Sequence, residues 1–132
     1  MSRSPKTFKT GISVRGYEQD AYGHVNNAVY LNYFEHGRWE LFRELKLTEF
    51  LELKGLLIVV TDVHVRYMRE AVLFDRLEIQ TRVSIERPYL VFRQKLVNRE
   101  SQMALARAET KTVFLDQSRK PVDVLDSLTN FF

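Results

Sequence analysis

Between Asp20 and Tyr30 the chain reads Asp20-Ala21-Tyr22-Gly23-His24-Val25-Asn26-Asn27-Ala28-Val29-Tyr30, placing a carboxylate, an imidazole, two amides and two phenols within eleven residues. A carboxylate can attack a carbonyl carbon or take a proton from water, and an imidazole can hold or donate a proton near neutral pH. Asn26 and Asn27 suit the start of a helix, where a side-chain oxygen accepts from the first backbone N–H groups. That end of a helix carries unpaired N–H donors and a partial positive charge, so it can receive an oxyanion. Each residue also has a purely structural reading. Asp20 can cap a turn, His24 can pin the loop to a carbonyl, Tyr30 can pack, and the two asparagines can be an ordinary N-cap. A capped helix end and an anion site are the same physical object, so these readings coexist.

The elements that must position this string follow from periodicity. Phe8 to Val14 alternates weakly and predicts a first strand, and Arg15 to Gly23 is a polar, glycine-containing connection. From Asn27 to Leu47 the apolar positions Leu31, Phe34, Leu41, Phe42 and Leu45 recur at helical intervals, giving a helix of roughly five turns. Charges at Glu35, Arg38, Glu40, Arg43 and Glu44 cover much of its other side. A short helical piece is expected at Thr48 to Lys54, capped by Thr48 and ended by Gly55. Four strands follow: Leu56 to Met68, Arg76 to Ile85, Tyr89 to Asn98 and Ala104 to Leu115. The first two alternate as half-buried strands, with Val63, Val65 and Tyr67 opposed to Asp62, His64 and Arg66. One strand, one long helix and four strands make an α+β pattern in which an antiparallel five-stranded sheet is covered by the helix.

Composition bounds the function. A chain of 132 residues, 45% hydrophobic and 28% charged, fits one domain over residues 1–132, with residues 1–6 a frayed tail. The longest largely apolar run, Leu56 to Thr61, is far short of the ~20 residues of a spanning helix. No apolar segment follows the basic start, which argues against a secretory signal and for a cytoplasmic protein. With no cysteine, disulfides and thiolate chemistry are excluded. Twenty basic against seventeen acidic residues give +3, an excess too small for a nucleic-acid binder. His24, His36 and His64 are spaced by twelve and twenty-eight residues, which is not a metal-ligand pattern, so no metal is expected. Gly-x-Gly-x-x-Gly, Walker and Gly-x-Ser-x-Gly motifs do not occur, and no cofactor beyond water is called for.

The string Asp20-x-x-Gly23-His24-Val25-Asn26-Asn27-x-x-Tyr30 resembles the signature of the hot-dog-fold acyl-CoA thioesterases, the superfamily that includes 4-hydroxybenzoyl-CoA thioesterase and the YbgC-like enzymes. Val65-Arg66-Tyr67 followed by Phe74-Asp75-Arg76-Leu77-Glu78-Ile79-Gln80-Thr81 resembles the second family block. In that block the family commonly carries a proline three residues after the tyrosine, where this chain has Glu70.

The resemblance implies a hot-dog fold and hydrolysis of an acyl-CoA thioester. Asp20 would serve as nucleophile or general base, the Asn27 N–H as oxyanion donor, and Gly23 would let the loop pass close to the acyl group. His24 would support. Tyr22, Tyr30, Val60 and Thr61 would contact the acyl-pantetheine part. Arg87 is the first choice among Arg66, Arg69, Arg87 and Arg93 for the coenzyme A phosphates. Glu35 matters because another hot-dog branch takes its carboxylate from the long helix, although that branch's motifs are missing here. The same resemblance implies a homodimer or homotetramer; the tail Asp126 to Phe132, more apolar than a solvated terminus needs to be, is expected to pack on a neighbour, and composition argues against a membrane or nucleic-acid partner. Two alternatives share the pocket: a non-catalytic acyl-CoA binding or regulatory module, and a thioesterase acting on acyl groups held by acyl carrier protein.

Overall fold

A computed structural model describes residues 6–132; residues 1–5, and with them most of the expected frayed tail, lie outside the described residues. The chain runs β1 (Phe8–Ser13), a 3₁₀ turn (Gly16–Glu18), α1 (Asn27–Leu45), α2 (Leu47–Lys54), β2 (Leu57–Tyr67), β3 (Arg76–Glu86), β4 (Tyr89–Asn98), β5 (Ala104–Leu115), β6 (Pro121–Val122) and a final 3₁₀ turn (Leu125–Leu128). The sheet is antiparallel in the order β1-β3-β4-β5-β2, and α1 lies across β3, β1 and β4. This is the expected α+β arrangement of a sheet curved round one long helix. It has one addition, a two-residue β6 that pairs with the end of β5.

The helix forms because its apolar residues share a face. Tyr30, Tyr33, Phe34, Gly37, Leu41 and Phe42 are buried at three- and four-residue intervals. The N-terminal half of α1 packs with Leu77, Ile79, Leu96, Ala106 and Ala108 of the sheet, and the C-terminal half with Val83, Leu90, Phe92 and Phe114. Burying a side chain of this size contributes roughly 1.5–3 kcal/mol.

Two expectations need correction. The long helix does not run to Leu47, and Thr48 caps nothing. Lys46 takes a left-handed conformation (φ 57°) that ends α1 and starts α2 with no side-chain cap, while Gly55 (φ 66°) closes α2 as expected. β2 is largely exposed rather than half buried, because it is an edge strand at the margin of the helix and a bulge between Val60 and Asp62 interrupts its alternation. The tail folds back on its own chain. Phe131 and Phe132 pack on the chain's own core, with Phe131 edge-on to Phe50 of α2 at 5.4 Å.

Candidate active site

The loop before α1 is built from its backbone outward. Gln19 bridges Val25, Asp20 N donates to the His24 carbonyl at 2.7 Å, and Val25 N donates to the Ala71 carbonyl at 2.9 Å, so residues 19–25 form a small closed turn pinned to the loop after β2. Within it Oδ1 of Asp20 accepts from Tyr22 N (2.8 Å) and His24 N (3.2 Å), while among the described residues nothing donates to Oδ2. The turn-forming and chemical roles of Asp20 are thus divided between its two oxygens. Gly23 sits at φ +79°, and a Cβ there would meet nothing within 4 Å. That backbone conformation favours glycine.

Asn26 caps α1 by accepting Ala28 N at 2.9 Å, and its carbonyl accepts Val29 N at 2.9 Å. Among the described residues nothing accepts from Asn27 N, which leaves this helix-end donor free. A pocket of about 430 Å³ opens here, lined by Asp20, His24, Val25, Asn27 and Tyr30 together with Tyr67, Met68, Arg69 and Glu70. The Tyr67 hydroxyl donates to the Asn27 carbonyl at 2.9 Å, tying the end of β2 to the helix start. The Tyr30 hydroxyl accepts from Ala71 N at 3.1 Å and donates to the Arg69 carbonyl at 3.4 Å. Burial, reinforced by the Glu70, Tyr67 and Asp20 charges and opposed by the Ala71 N–H, raises the Tyr30 pKa, so this phenol is a neutral wall of the pocket.

Beneath the loop, Glu18 is 4% exposed and accepts from Arg15 N (2.8 Å), the Arg15 guanidinium and the Tyr33 hydroxyl (2.7 Å). Burial pushes this carboxyl up, but those donors outweigh it and hold Glu18 below its ordinary value. Burial and the same bond push the Tyr33 phenol up. The Glu18 carbonyl accepts Asn26 N at 2.9 Å, so the network carries the helix cap on its backbone.

Of the residues singled out in the sequence, Asp20, His24, Asn27, Tyr30, Arg69 and Glu70 meet at this pocket, with Gly23 shaping the turn between them. The others stand elsewhere in the protomer. Tyr22 is 84% exposed and does not line the pocket. Val60 and Thr61 lie at the β2 bulge, where the Thr61 hydroxyl is 2.7 Å from Asp62 Oδ2. Arg87, in the turn between β3 and β4, is paired with Asp123 and Asp126, which raise its pKa and occupy its guanidinium. Glu35 accepts from the Trp39 indole at 3.2 Å on the exposed side of α1. Tyr67 and Met68 were not singled out as site residues, although the alternation Val65, Tyr67 places that phenol on the helix side of β2. Among the described residues no group of three or more His, Asp or Glu side chains could hold a metal ion.

An antiparallel sheet wrapped round one long central helix is the hot-dog arrangement. The family model of the Thioesterase-like superfamily matches residues 14–132, and the chain belongs to that family. Among curated relatives, the long-chain acyl-CoA thioesterase FadM of Escherichia coli is 37% identical over 76 residues, 58% of each chain. The chloroplastic acyl-acyl carrier protein thioesterase ATL2 of Arabidopsis thaliana is 28% identical over 92% of this chain and 65% of its own. The chain thus spans about three fifths of the length of these first relatives. The acyl-CoA thioesterase YbgC of Haemophilus influenzae is 33% identical over 87% of this chain and 86% of its own. The crystal structure of the probable thioesterase YbaW from Escherichia coli superposes with a TM-score of 0.86 at 28% identity, covering 94% of this chain and 95% of that one.

Proposed function

We propose that this protein hydrolyses acyl-CoA thioesters to the free acid and coenzyme A, with Asp20 Oδ2 as the reacting oxygen and Asn27 N–H as the oxyanion donor. The observation that carries the reading is the division of labour at Asp20. Oδ1 is held by two backbone N–H groups, and Oδ2 is free in a pocket that also contains an unpaired helix-end N–H. Oδ2 either attacks the carbonyl carbon, releasing the thiolate and leaving an anhydride that water opens, or takes a proton from the water that attacks. Both routes add one water across the C–S bond, and both place negative charge on the carbonyl oxygen, which a preorganised N–H stabilises. His24, which lines the same wall, supplies a proton to the departing thiolate. FadM and YbgC are named for this reaction on acyl-CoA, which supports the substrate class.

The site works within an assembly of at least two copies. β2 presents an unpaired edge of eleven residues with exposed Leu57, Val60, Val63 and Tyr67, and a second β2 can close it by antiparallel pairing about a twofold axis. No helix among the described residues is long and apolar enough to cross a membrane.

The test is free-thiol release from a panel of acyl-CoAs by wild type and Asp20→Asn. Asparagine keeps an oxygen for the Tyr22 and His24 N–H groups, so the turn survives while the reacting oxygen is lost. Turnover should fall by about 10²-fold or more with an unchanged melting curve. Saturable binding without turnover by wild type would instead establish an acyl-CoA binding module.

A further inference from the structure

The pocket holds a second carboxylate, Glu70, besides that of Asp20. It comes from the other lining segment, just beyond the end of β2, and the backbone on each side of it is anchored. Arg69 N donates to the Leu105 carbonyl of β5 at 3.1 Å, the Arg69 carbonyl accepts from the Tyr30 hydroxyl at 3.4 Å, and Ala71 N donates to that same hydroxyl at 3.1 Å. Ala71 is fully buried, and its carbonyl accepts Val25 N of the Asp20 loop at 2.9 Å. The Glu70 side chain is left exposed. Among the described residues nothing donates to its carboxylate and no cation stands within ion-pair distance of it. The Glu70 charge raises the Tyr30 pKa more than the Asp20 charge does, which sets it near that phenol.

Hydrolysis needs a group that takes a proton from water, and the pocket offers few. The Tyr30 and Tyr67 hydroxyls donate to backbone carbonyls, Asn27, Met68 and Val25 offer no basic side-chain atom, and Arg69 is a cation. Asp20 Oδ2 cannot take that proton while it carries an acyl group. The acceptors that remain are His24 and Glu70. His24 shares one short turn with Asp20 and gives its proton to the thiolate, whereas Glu70 reaches the pocket from a different segment and is open to the solvent from which the water comes. The resemblance calls for a proline at this position, so a base here belongs to this chain and not to the fold.

We propose that Glu70 is the general base of the second half of the reaction, with Asp20 the nucleophile of the first. After Asp20 Oδ2 has displaced the thiolate, which leaves with the proton of His24, a water oxygen bonds to the acyl carbon while Glu70 takes one of its protons. The bond from that carbon to Asp20 breaks with its electron pair returning to Oδ2, the acid departs, and the Glu70 proton returns through solvent to His24. The sum is one water added across one C–S bond. The proposal rests on the hydrolase reading, and its test separates the two. Rapid-quench single turnovers, with enzyme in excess over an acyl-CoA that wild type hydrolyses, follow thiol and free acid together. In Glu70→Gln, with an unchanged melting curve, acid formation should lag thiol release by about tenfold or more in rate. Hydroxylamine, a nucleophile that opens an anhydride without a base, should restore steady-state thiol release in Glu70→Gln but not in Asp20→Asn. Thiol and acid slowed in step, rates equal to those of wild type, a changed KM with no lag, a lag in His24→Gln instead, or no rescue would each overturn the role of Glu70 and leave the hydrolase reading standing. Absence of thiol release from every acyl-CoA by wild type would sink the hydrolase reading and this role with it.

Discussion

Gly37 marks the closest approach of the long helix to the sheet. A Cβ built there would lie 2.6 Å from Ile79 Cγ2 and 3.0 Å from Gln94 Nε2. Ile79 is fully buried on a central strand and cannot withdraw. Alanine is the better helix former by about 1 kcal/mol, yet overpacking of this kind costs about 1–3 kcal/mol, so Gly37→Ala should be destabilising. A melting temperature lower by about 5 °C is expected in thermal denaturation, and an increase would show that the helix can lift without cost. Beside it, Arg38 departs from its expected place on the polar side of the helix. Its guanidinium donates to Gln94 Oε1 at 3.1 Å, and burial lowers its pKa against the pull of Glu35. Helical periodicity cannot decide this, because Arg38 follows Phe34 by four and precedes Leu41 by three, on the border of the buried stripe, where a long side chain turns either way. Its partner was more legible, since Gln94 alternates with the inward Phe92 and Leu96 and must find polar company under the helix. The same contrast runs through the site. Asp20, His24 and Asn27 were readable because they share one short string, whereas Tyr67 and Met68 arrive from about forty residues away, brought by the register of β2.

The loop from Arg15 to Asn26 and the helix it feeds behave as one element through Glu18. The Arg15 guanidinium, the Arg15 N–H and the Tyr33 hydroxyl hold the Glu18 carboxylate below its ordinary pKa despite its burial. A carboxyl depressed in the folded state adds stability that is full above the unfolded value, about 4.3, and is lost as pH falls through the folded value. Glu18→Gln should therefore cost roughly 1.5–3 kcal/mol at pH 7, measured by urea unfolding, with the gap to wild type closing in the acid range below pH 4. A gap of equal size at pH 3 would assign the loss to packing instead of ionisation. Because the Glu18 carbonyl also accepts from the cap residue Asn26, thiol release should fall in this variant along with stability. At this scale the sequence carried most of the elements. Both helices, β1 and four long strands lie where apolar periodicity and turn residues put them, since those patterns are local. The break at Lys46 and the bulge at Thr61 were not visible, because a left-handed lysine and an extra strand residue are settled by what the neighbouring elements require. β6 is too short to leave a period at all.

At the scale of the whole molecule the unresolved demand is the β2 edge. β1, the other edge, has six residues and exposes Lys9, Gly11 and Ser13, as a protected edge does. β2 is nearly twice as long, and its exposed Val60 and Val63 flank a bulge beside the helix margin, a combination that invites pairing in a protein stable alone. Pairing through β2 would also have a consequence for chemistry, because the end of this strand supplies Tyr67 and Met68 to the Asp20 pocket and Tyr67 holds the carbonyl of Asn27, the proposed oxyanion donor. An edge fixed by a partner fixes that wall. Placing a lysine on the edge is the device by which proteins block such pairing, so the proposed wild-type dimer or tetramer should give way to a monomer in Val63→Lys, read by sedimentation velocity. Thiol release should drop with it and recover in part at high protein concentration, since the substituted residue does not line the pocket and acts only through association. A Val63→Lys protein that keeps the wild-type mass and loses activity would place Val63 in contact with substrate. One that dissociates with full turnover would show that each protomer closes its own site.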